Sequence, residues 1–317
     1  MTRKIAAIVN PYSGGGKTGR AWPAIEKKLT RALGPLTTYM TEGAATPHHL
    51  PAAGPASRAL KDGADLIIAV GGDGTINEVV NGFFEEGKPI NPEAAFAFLN
   101  TGTGGDFRKT FGYDGTLDEA IEKLGKAEAS PIDIGRLTFI AEDGRETARY
   151  FDNIASFGLS GAVDRAVNKA GVSKLLGGKF AFFWGTLKTV LTYRPQAVRV
   201  TTDSGFDEVR NISTLAVANG RFFGGGMMMA PHAKPDDGLF DIVMMCDTTF
   251  KDMFSSSGSL YEGTHLANPK VTSLQAKVLE ARPAEENEIV LLDIDGEAPG
   301  RLPARFEILP AALNLFR

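Results

Sequence analysis

Four stretches of this sequence set carboxylates beside glycines in patterns that could do chemistry. Asp73 lies in Gly71-Gly72-Asp73-Gly74-Thr75, and Asp106 follows Gly102-Thr103-Gly104-Gly105. Asp236-Asp237 precedes Gly238, and Asp295 is separated from Glu297 by Gly296. A glycine turn that opens a helix points free backbone N–H groups outward, and the helix dipole favours an anion there. Each such interaction is worth about 0.3–1 kcal/mol when exposed, so several must converge on one ligand. A carboxylate in such a turn repels an anionic ligand unless a cation lies between them or the acid takes part in the reaction. Taken alone, Asp73 reads equally well as a helix cap. Asp295 and Glu297 at a strand end suit a general base near a hydroxyl, and alone they read as a hairpin turn. The run Lys234-Pro235-Asp236-Asp237-Gly238-Leu239-Phe240-Asp241 can hold a hard cation through carboxylate and carbonyl oxygens, or form a hydrated turn.

These residues need strands and helices to position them. Residues 65–70 form an apolar run of strand formers ahead of Asp73, and Ile76, Val79, Val80, Phe83 and Phe84 follow at helical spacing. A first strand at 4–10 leads into Pro11-Tyr12-Ser13-Gly14-Gly15-Gly16-Lys17-Thr18, then a helix over 22–33 with Trp22, Ile25 and Leu29 inside. Pro11 occupies the place of the first Walker glycine, so this is not a P-loop match, although a phosphate loop remains the preferred reading. Residues 36–41 read as a second strand, 43–55 as a loop, and 94–99 as a fourth strand ending in the turn before Asp106. Phe107 stands where GxGxxG needs glycine, which weakens a dinucleotide-fold reading. Three glycine loops after three parallel-looking strands belong at one sheet edge, where open α/β sheets bind ligands.

Beyond about residue 130 the runs are short and β-rich: 132–140, 150–155, 197–202, 214–218, 239–245, 271–278 and 289–294. They predict a mainly antiparallel sandwich. Leu175, Leu176, Phe180, Phe183, Trp184, Leu187 and Leu191 form a helical stripe interrupted by Lys174, Lys179 and Lys188. That stripe is a packing helix or a surface that touches a bilayer, not a membrane span. Asn219-Gly220 leads through Gly224-Gly225-Gly226 to Met227-Met228-Met229, soft residues that adapt to irregular apolar ligands or fill a core.

At 317 residues the chain predicts two domains, and 43% hydrophobic with 23% charged residues is ordinary for a soluble globular protein. A net charge of −4 argues against non-specific nucleic-acid binding. The single Cys246 excludes an internal disulfide framework and a cysteine zinc site, and the four histidines (48, 49, 232, 265) lack metal-ligand spacing. The first residues show no signal peptide, so a cytoplasmic protein is expected.

Taken in order, these motifs resemble the bacterial diacylglycerol and lipid kinases and the related sphingosine and ceramide kinases. The resemblance rests on Asn10-Pro11 with Ser13-Gly14-Gly15, on Gly72-Asp73-Gly74-Thr75 with Asn77-Glu78, and on Gly102-Thr103 with Asp106. It continues through Asn219-Gly220 with Gly224-Gly225-Gly226, Asp236-Asp237-Gly238 and Asp295-Gly296-Glu297. It implies an ATP-binding α/β domain over 1–130, to which 303–317 return, and a lipid-binding β-sandwich over 131–302. It also implies an ATP-dependent kinase that phosphorylates a lipid primary hydroxyl at the inner membrane face, with Mg²⁺ as cofactor, no nucleic-acid partner and a homodimer as one possible assembly. By the same resemblance Asn10, Ser13, Gly14, Thr41, Gly72, Gly74, Thr75, Asn77, Thr103 and Asp106 surround ATP. Asp73, Asp295 and Glu297 are the catalytic candidates, with one of the last two as proton acceptor. Lys234, Asp237 and Leu239 match a structural Mg²⁺ site. Position 105 is Gly where the family usually has Asn, and Asn100 stands where proline is common. The Gly-Gly-Asp-Gly core is shared with NAD kinases, so a soluble NAD-kinase-like enzyme is one alternative; a nucleotide-binding sensor of the same fold, made inactive by the change at Gly105, is the other.

Overall fold

The computed structural model describes residues 3–43, 49–102, 104–113, 115–163, 192–248, 257–285 and 287–317. The first half comprises β1 (Ile5–Val9), α1 (Ser13–Leu33), β2 (Leu36–Met40), α2 (Ala53–Lys61), β3 (Leu66–Gly71), α3 (Asp73–Asn81), a short hairpin of β4 (Phe84–Glu85) and β5 (Lys88–Pro89), β6 (Ala95–Asn100), α4 (Asp106–Thr110) and α5 (Leu117–Leu124). The second comprises β7 (Ala129–Ala141), β8 (Glu146–Phe151), β9 (Ile154–Gly158), β10 (Gln196–Thr202), β11 (Asp207–Ala218), β12 (Phe240–Cys246), α6 (Ser257–Glu262), β13 (Val271–Ala276), β14 (Val278–Pro283), β15 (Leu292–Ile294) and β16 (Gly300–Phe316). The helical stripe read between 172 and 193 falls almost wholly outside the described residues.

β1 and β3 are apolar and buried throughout because helices cover both faces of their sheet. Ile68 and Val70 pack with Trp22, Ile25 and Leu29 of α1 on one side. Ile67 and Ala69 pack with Leu60 of α2 and Ile76, Val79 and Val80 of α3 on the other. The strand order β2-β1-β3-β6 is parallel throughout. The chain leaves β1 for one edge and returns through β3 on the other side, so a switch point opens between the two strand ends. α1 begins earlier than the apolar pattern predicts. Thr18 is buried in line with Trp22, Ile25 and Leu29, and the left-handed Gly14, Gly15 and Gly16 mark where the regular turn starts.

The second half is antiparallel. Two runs that read as single strands are each two. Residues 150–155 break at Asp152-Asn153, because β8 pairs with β7 whereas β9 pairs with β11 and β15. Residues 271–278 break before β14, which pairs with β10 and β16 rather than β12. β16 joins the halves. It runs antiparallel to β7 along its length and to β14 near its start, then parallel to β6 at Asn314 and Leu315. A register shift between Leu309 and Leu313 is held by Asp133 of β7, whose Oδ1 accepts the Ala311 N–H at 2.7 Å.

Candidate active site

The loops after β1, β3 and β6 meet at the switch point. They approach so closely that side chains are excluded: a Cβ on Gly14 would stand 2.9 Å from the Thr101 carbonyl oxygen, and one on Gly102 would stand 2.6 Å from Gly72 Cα. Asn10 Nδ2 donates to Thr75 Oγ1 at 2.9 Å and its Oδ1 accepts the Tyr12 N–H, so the first loop is tied to the start of α3. Above them lies an open cleft of 550 Å³ lined by Asn10, Ser13, Gly72, Gly74, Thr75 and Glu78. Among the described residues nothing stands within 4 Å of a Cβ on Gly74, and the Thr41 hydroxyl is buried with no hydrogen-bond partner. Glu78 closes the cleft floor. Burial pushes its carboxyl up to about 7 and repulsion from Glu297 adds to this, against a hydrogen bond accepted from the Ala52 N–H at 2.7 Å.

Asp73 braces the third loop. Its Oδ1 accepts from Asn100 Nδ2 at 3.1 Å, and its Oδ2 accepts the N–H groups of Gly105 at 2.6 Å and Asp106 at 3.2 Å. Asp106 carries the connection onward: Oδ1 pairs with Lys109 Nζ at 2.9 Å and Oδ2 accepts the Gly225 N–H at 2.7 Å. The second glycine turn of the sandwich is thus fixed to the first domain. Asp73, Asp106 and Asp295 all line a second cavity of 410 Å³, whose other walls include Leu159, Phe223, Met227, Met229, Met245 and Leu260. A cavity with mostly apolar walls and a few polar groups at one end suits an amphiphile.

Asp295 and Gly296 occupy the two central positions of a hairpin turn between Ile294 and Glu297, with φ of +47° and +88°. Positive φ at both positions is the I′ geometry that Asp-Gly favours. The turn brings Asp295 onto α3: Asn77 Nδ2 donates to its Oδ2 at 2.7 Å, while its Oδ1 accepts the Ile154 N–H at 3.0 Å. Burial pushes the Asp295 carboxyl up to about 7, and repulsion from Asp73 adds to this. Asp152 is raised well above the usual carboxylate range too, by burial and then by Asp295, and shares the Asn77 amide at 3.3 Å. Two carboxyls so close in one buried site hold one proton between them. Glu297 differs. One oxygen meets Arg149 Nη1 at 3.0 Å, and its side chain is 28% exposed against 7% for the arginine. Burial raises its pKa and the guanidinium opposes that rise.

Thr103 lies outside the described residues. Lys234 and Asp237 are exposed in the turn before β12, apart from the cleft, and Asp237 Oδ1 accepts the Leu239 N–H at 3.1 Å. Among the described residues no three His, Cys, Asp or Glu side chains form a metal cluster. The turn offers one carboxylate and main-chain carbonyls, a donor set that suits a hard cation whose remaining ligands are water. Asp133 secures this turn by accepting the Gly238 N–H at 2.7 Å. Asp133, Arg149, Asp152 and Asn153 escaped the sequence reading. The Asp152-Asn153 pair inside an apolar run was the one available signal, while nothing local marks Arg149.

The family model for the diacylglycerol kinase catalytic domain matches residues 4–137. The model for the YegS C-terminal NAD kinase beta sandwich-like domain matches residues 153–317. A diacylglycerol kinase of Staphylococcus haemolyticus is 30% identical over 96% of this chain and 85% of its own length. One from Staphylococcus saprophyticus is 28% identical over 100% of this chain and 96% of its own. A crystal structure of a candidate diacylglycerol kinase from Bacillus anthracis superposes with a TM-score of 0.75 at 26% identity, covering 99% of this chain and 94% of that one. Two matched domains in sequence, converging loops and a shared acid-lined wall have one source: the chain belongs to the bacterial diacylglycerol kinase family, a lipid kinase family related to the NAD kinases.

Proposed function

We propose that this protein transfers the γ-phosphoryl group of ATP to a primary hydroxyl of a diacylglycerol-like lipid, working at the surface of a membrane. One observation carries the reading. Asn77, just past the Gly72-Asp73-Gly74 turn, holds Asp295 in the wall of the apolar cavity. The phosphate-suited turn and the lipid-suited cavity therefore share an edge. The soluble NAD-kinase alternative has no use for methionine and leucine walls. The change at position 105 does not argue for an inactive sensor, because Gly105 still donates its N–H to Asp73.

Phosphoryl transfer is mostly positioning and charge neutralisation. Backbone N–H groups around Gly72 and Gly74 bind the phosphates, while Asp73 keeps the third loop in place above them. Asp295 has both oxygens committed to fixed donors, so it positions the hairpin. Glu297 keeps Oε1 clear of any partner among the described residues and lies near enough to Glu78, a residue of the nucleotide cleft, to repel it. It is the proton acceptor of this proposal. As the lipid oxygen bonds to the γ-phosphorus and the β–γ bridging bond breaks, the hydroxyl proton passes to Glu297. Mg²⁺, when bound with ATP, neutralises phosphate charge. A structural ion would be held by the Asp237 carboxylate and the carbonyls of Lys234 and Leu239. No helix among the described residues is long and apolar enough to cross a membrane.

Incubation with labelled ATP and a panel of diacylglycerol, ceramide, sphingoid base, phosphatidylglycerol and NAD tests the reaction. Label in a lipid is the expected result, and label in NAD alone refutes the lipid acceptor. Asp73→Ala frees the N–H groups of Gly105 and Asp106 and is expected to raise KM for Mg-ATP by about tenfold. Unchanged ATP kinetics in that variant would remove the bracing role.

A further inference from the structure

We propose a second anion site, separate from the nucleotide cleft and the lipid cavity, that takes a single phosphate group. It lies behind the third glycine loop, between β6 and α5. A cavity of 50 Å³ there is bordered by the side chains of Arg108, Lys123 and Arg317, with Phe98, Tyr113 and Leu124 among its apolar walls. Its size decides the class of ligand. A water molecule needs about 10–15 Å³ measured this way, so the space holds a compact oxyanion and not an acyl chain or a nucleoside.

Among the described residues two of the three cations are underused. Arg108 Nε is buried with no hydrogen-bond partner. Lys123 Nζ makes, among the described residues, only a contact with the Tyr113 ring, 5.0 Å from its centroid. Arg317 lies over Phe111 and reaches Asp236 at 3.3 Å and Ser130 at 2.9 Å. One acid among the described residues, Glu119, faces the same space, and its Oε2 is occupied by the Thr116 N–H in the capping box of α5. Among the described residues Asp236 offsets Arg317, and Arg108 and Lys123 against Glu119 leave the cavity positive.

The unusual glycine of the third loop belongs to this arrangement. Gly105 has φ of +90°, and a Cβ there would stand 2.6 Å from Arg108 Nε. The missing side chain lets the guanidinium lie against the loop whose N–H groups Asp73 accepts. Asn100, which also borders the cavity, donates to Asp73 from the other side. A phosphate at Arg108 and Lys123 therefore sits directly behind the brace of the nucleotide cleft.

The site is tested by calorimetric titration of inorganic phosphate into the full chain at low ionic strength, with ADP present to fill the nucleotide cleft. Wild type is expected to bind one phosphate, and Lys123→Ala to weaken it about tenfold, the loss of one charge-assisted contact. Lys123→Arg should retain binding. A second arm uses monomeric short-chain phosphatidate beside the matching neutral diglyceride. Lys123-dependent binding of phosphatidate but not of free phosphate assigns the site to a lipid headgroup, and the reverse assigns it to free phosphate. Binding of neither free phosphate nor phosphatidate, or equal affinity of wild type and Lys123→Ala for whichever ligand binds, overturns the proposal. Because the readout is binding at Lys123, it is independent of whether the protein phosphorylates a lipid.

Discussion

Glu297→Gln is expected to lower kcat by about 10²–10⁴-fold, the range a positioned base supplies, with KM for lipid changed only a few-fold. Glutamine keeps the length and an oxygen for Arg149, so the hairpin and its ion-pair partner stay in place while proton acceptance is lost. The pH profile separates this from a structural fault. Burial holds the Glu297 carboxyl above its usual range and Arg149 pulls it back. Wild-type kcat/KM must therefore rise with pH as Glu297 deprotonates, and this acid limb must vanish from the residual activity of Glu297→Gln. Arg149→Met removes the opposing charge, so its acid limb is expected at higher pH than in wild type. A Glu297→Gln enzyme with wild-type turnover and an intact acid limb transfers the acceptor role to Asp295, the other acid at this turn.

Those acids show where the sequence was readable. β1, β3 and the Gly72-Asp73-Gly74 turn are local patterns: an apolar run buried on both faces, then glycines, then an amphipathic helix. Asp295-Gly296 reads locally as a hairpin and is one. What that hairpin touches is not local, for Asn77 and Asp295 are 218 positions apart. β16 has period-two burial, with Leu302, Ala304, Phe306 and Ile308 inside and Pro303, Arg305 and Glu307 more exposed. Its two prolines and charges resemble loop composition, and its partners β7, β14 and β6 are set by tertiary pairing. The break at Asp152-Asn153 was hidden for the same reason. Only the change of partner from β7 to β11 shows why two buried polar residues interrupt an apolar run.

Asp295→Asn is expected to make the protein more stable relative to wild type as the pH rises, although its activity falls. In the unfolded chain this carboxyl titrates near the ordinary Asp value of about 3.9. In the fold it is pushed up to about 7, first by burial and then by Asp73. A raised folded value means that its stabilising contribution is complete below about pH 4 and is lost as pH rises through about 7, where the buried group must ionise. The full difference corresponds to at most about 4 kcal/mol, at about 1.4 kcal/mol per unit. Asparagine carries no charge and escapes that loss. It adds a fixed cost instead, because its amide can accept from only one of Ile154 and Asn77, and an unmatched buried donor costs about 1–3 kcal/mol. That cost is the same at every pH. The melting temperature of Asp295→Asn minus that of wild type should therefore rise by several degrees between pH 4 and pH 8, whatever its sign at pH 4. Asp152→Asn should show a pH dependence of the same sign, since burial and the Asp295 charge raise its carboxyl too. A flat difference for Asp295→Asn across this range would mean that Asp295 ionises as freely in the fold as in the unfolded chain. The shared-proton account of the Asp152–Asp295 pair would then fail, while the positioning role of Asp295, which rests on its two fixed donors, would stand.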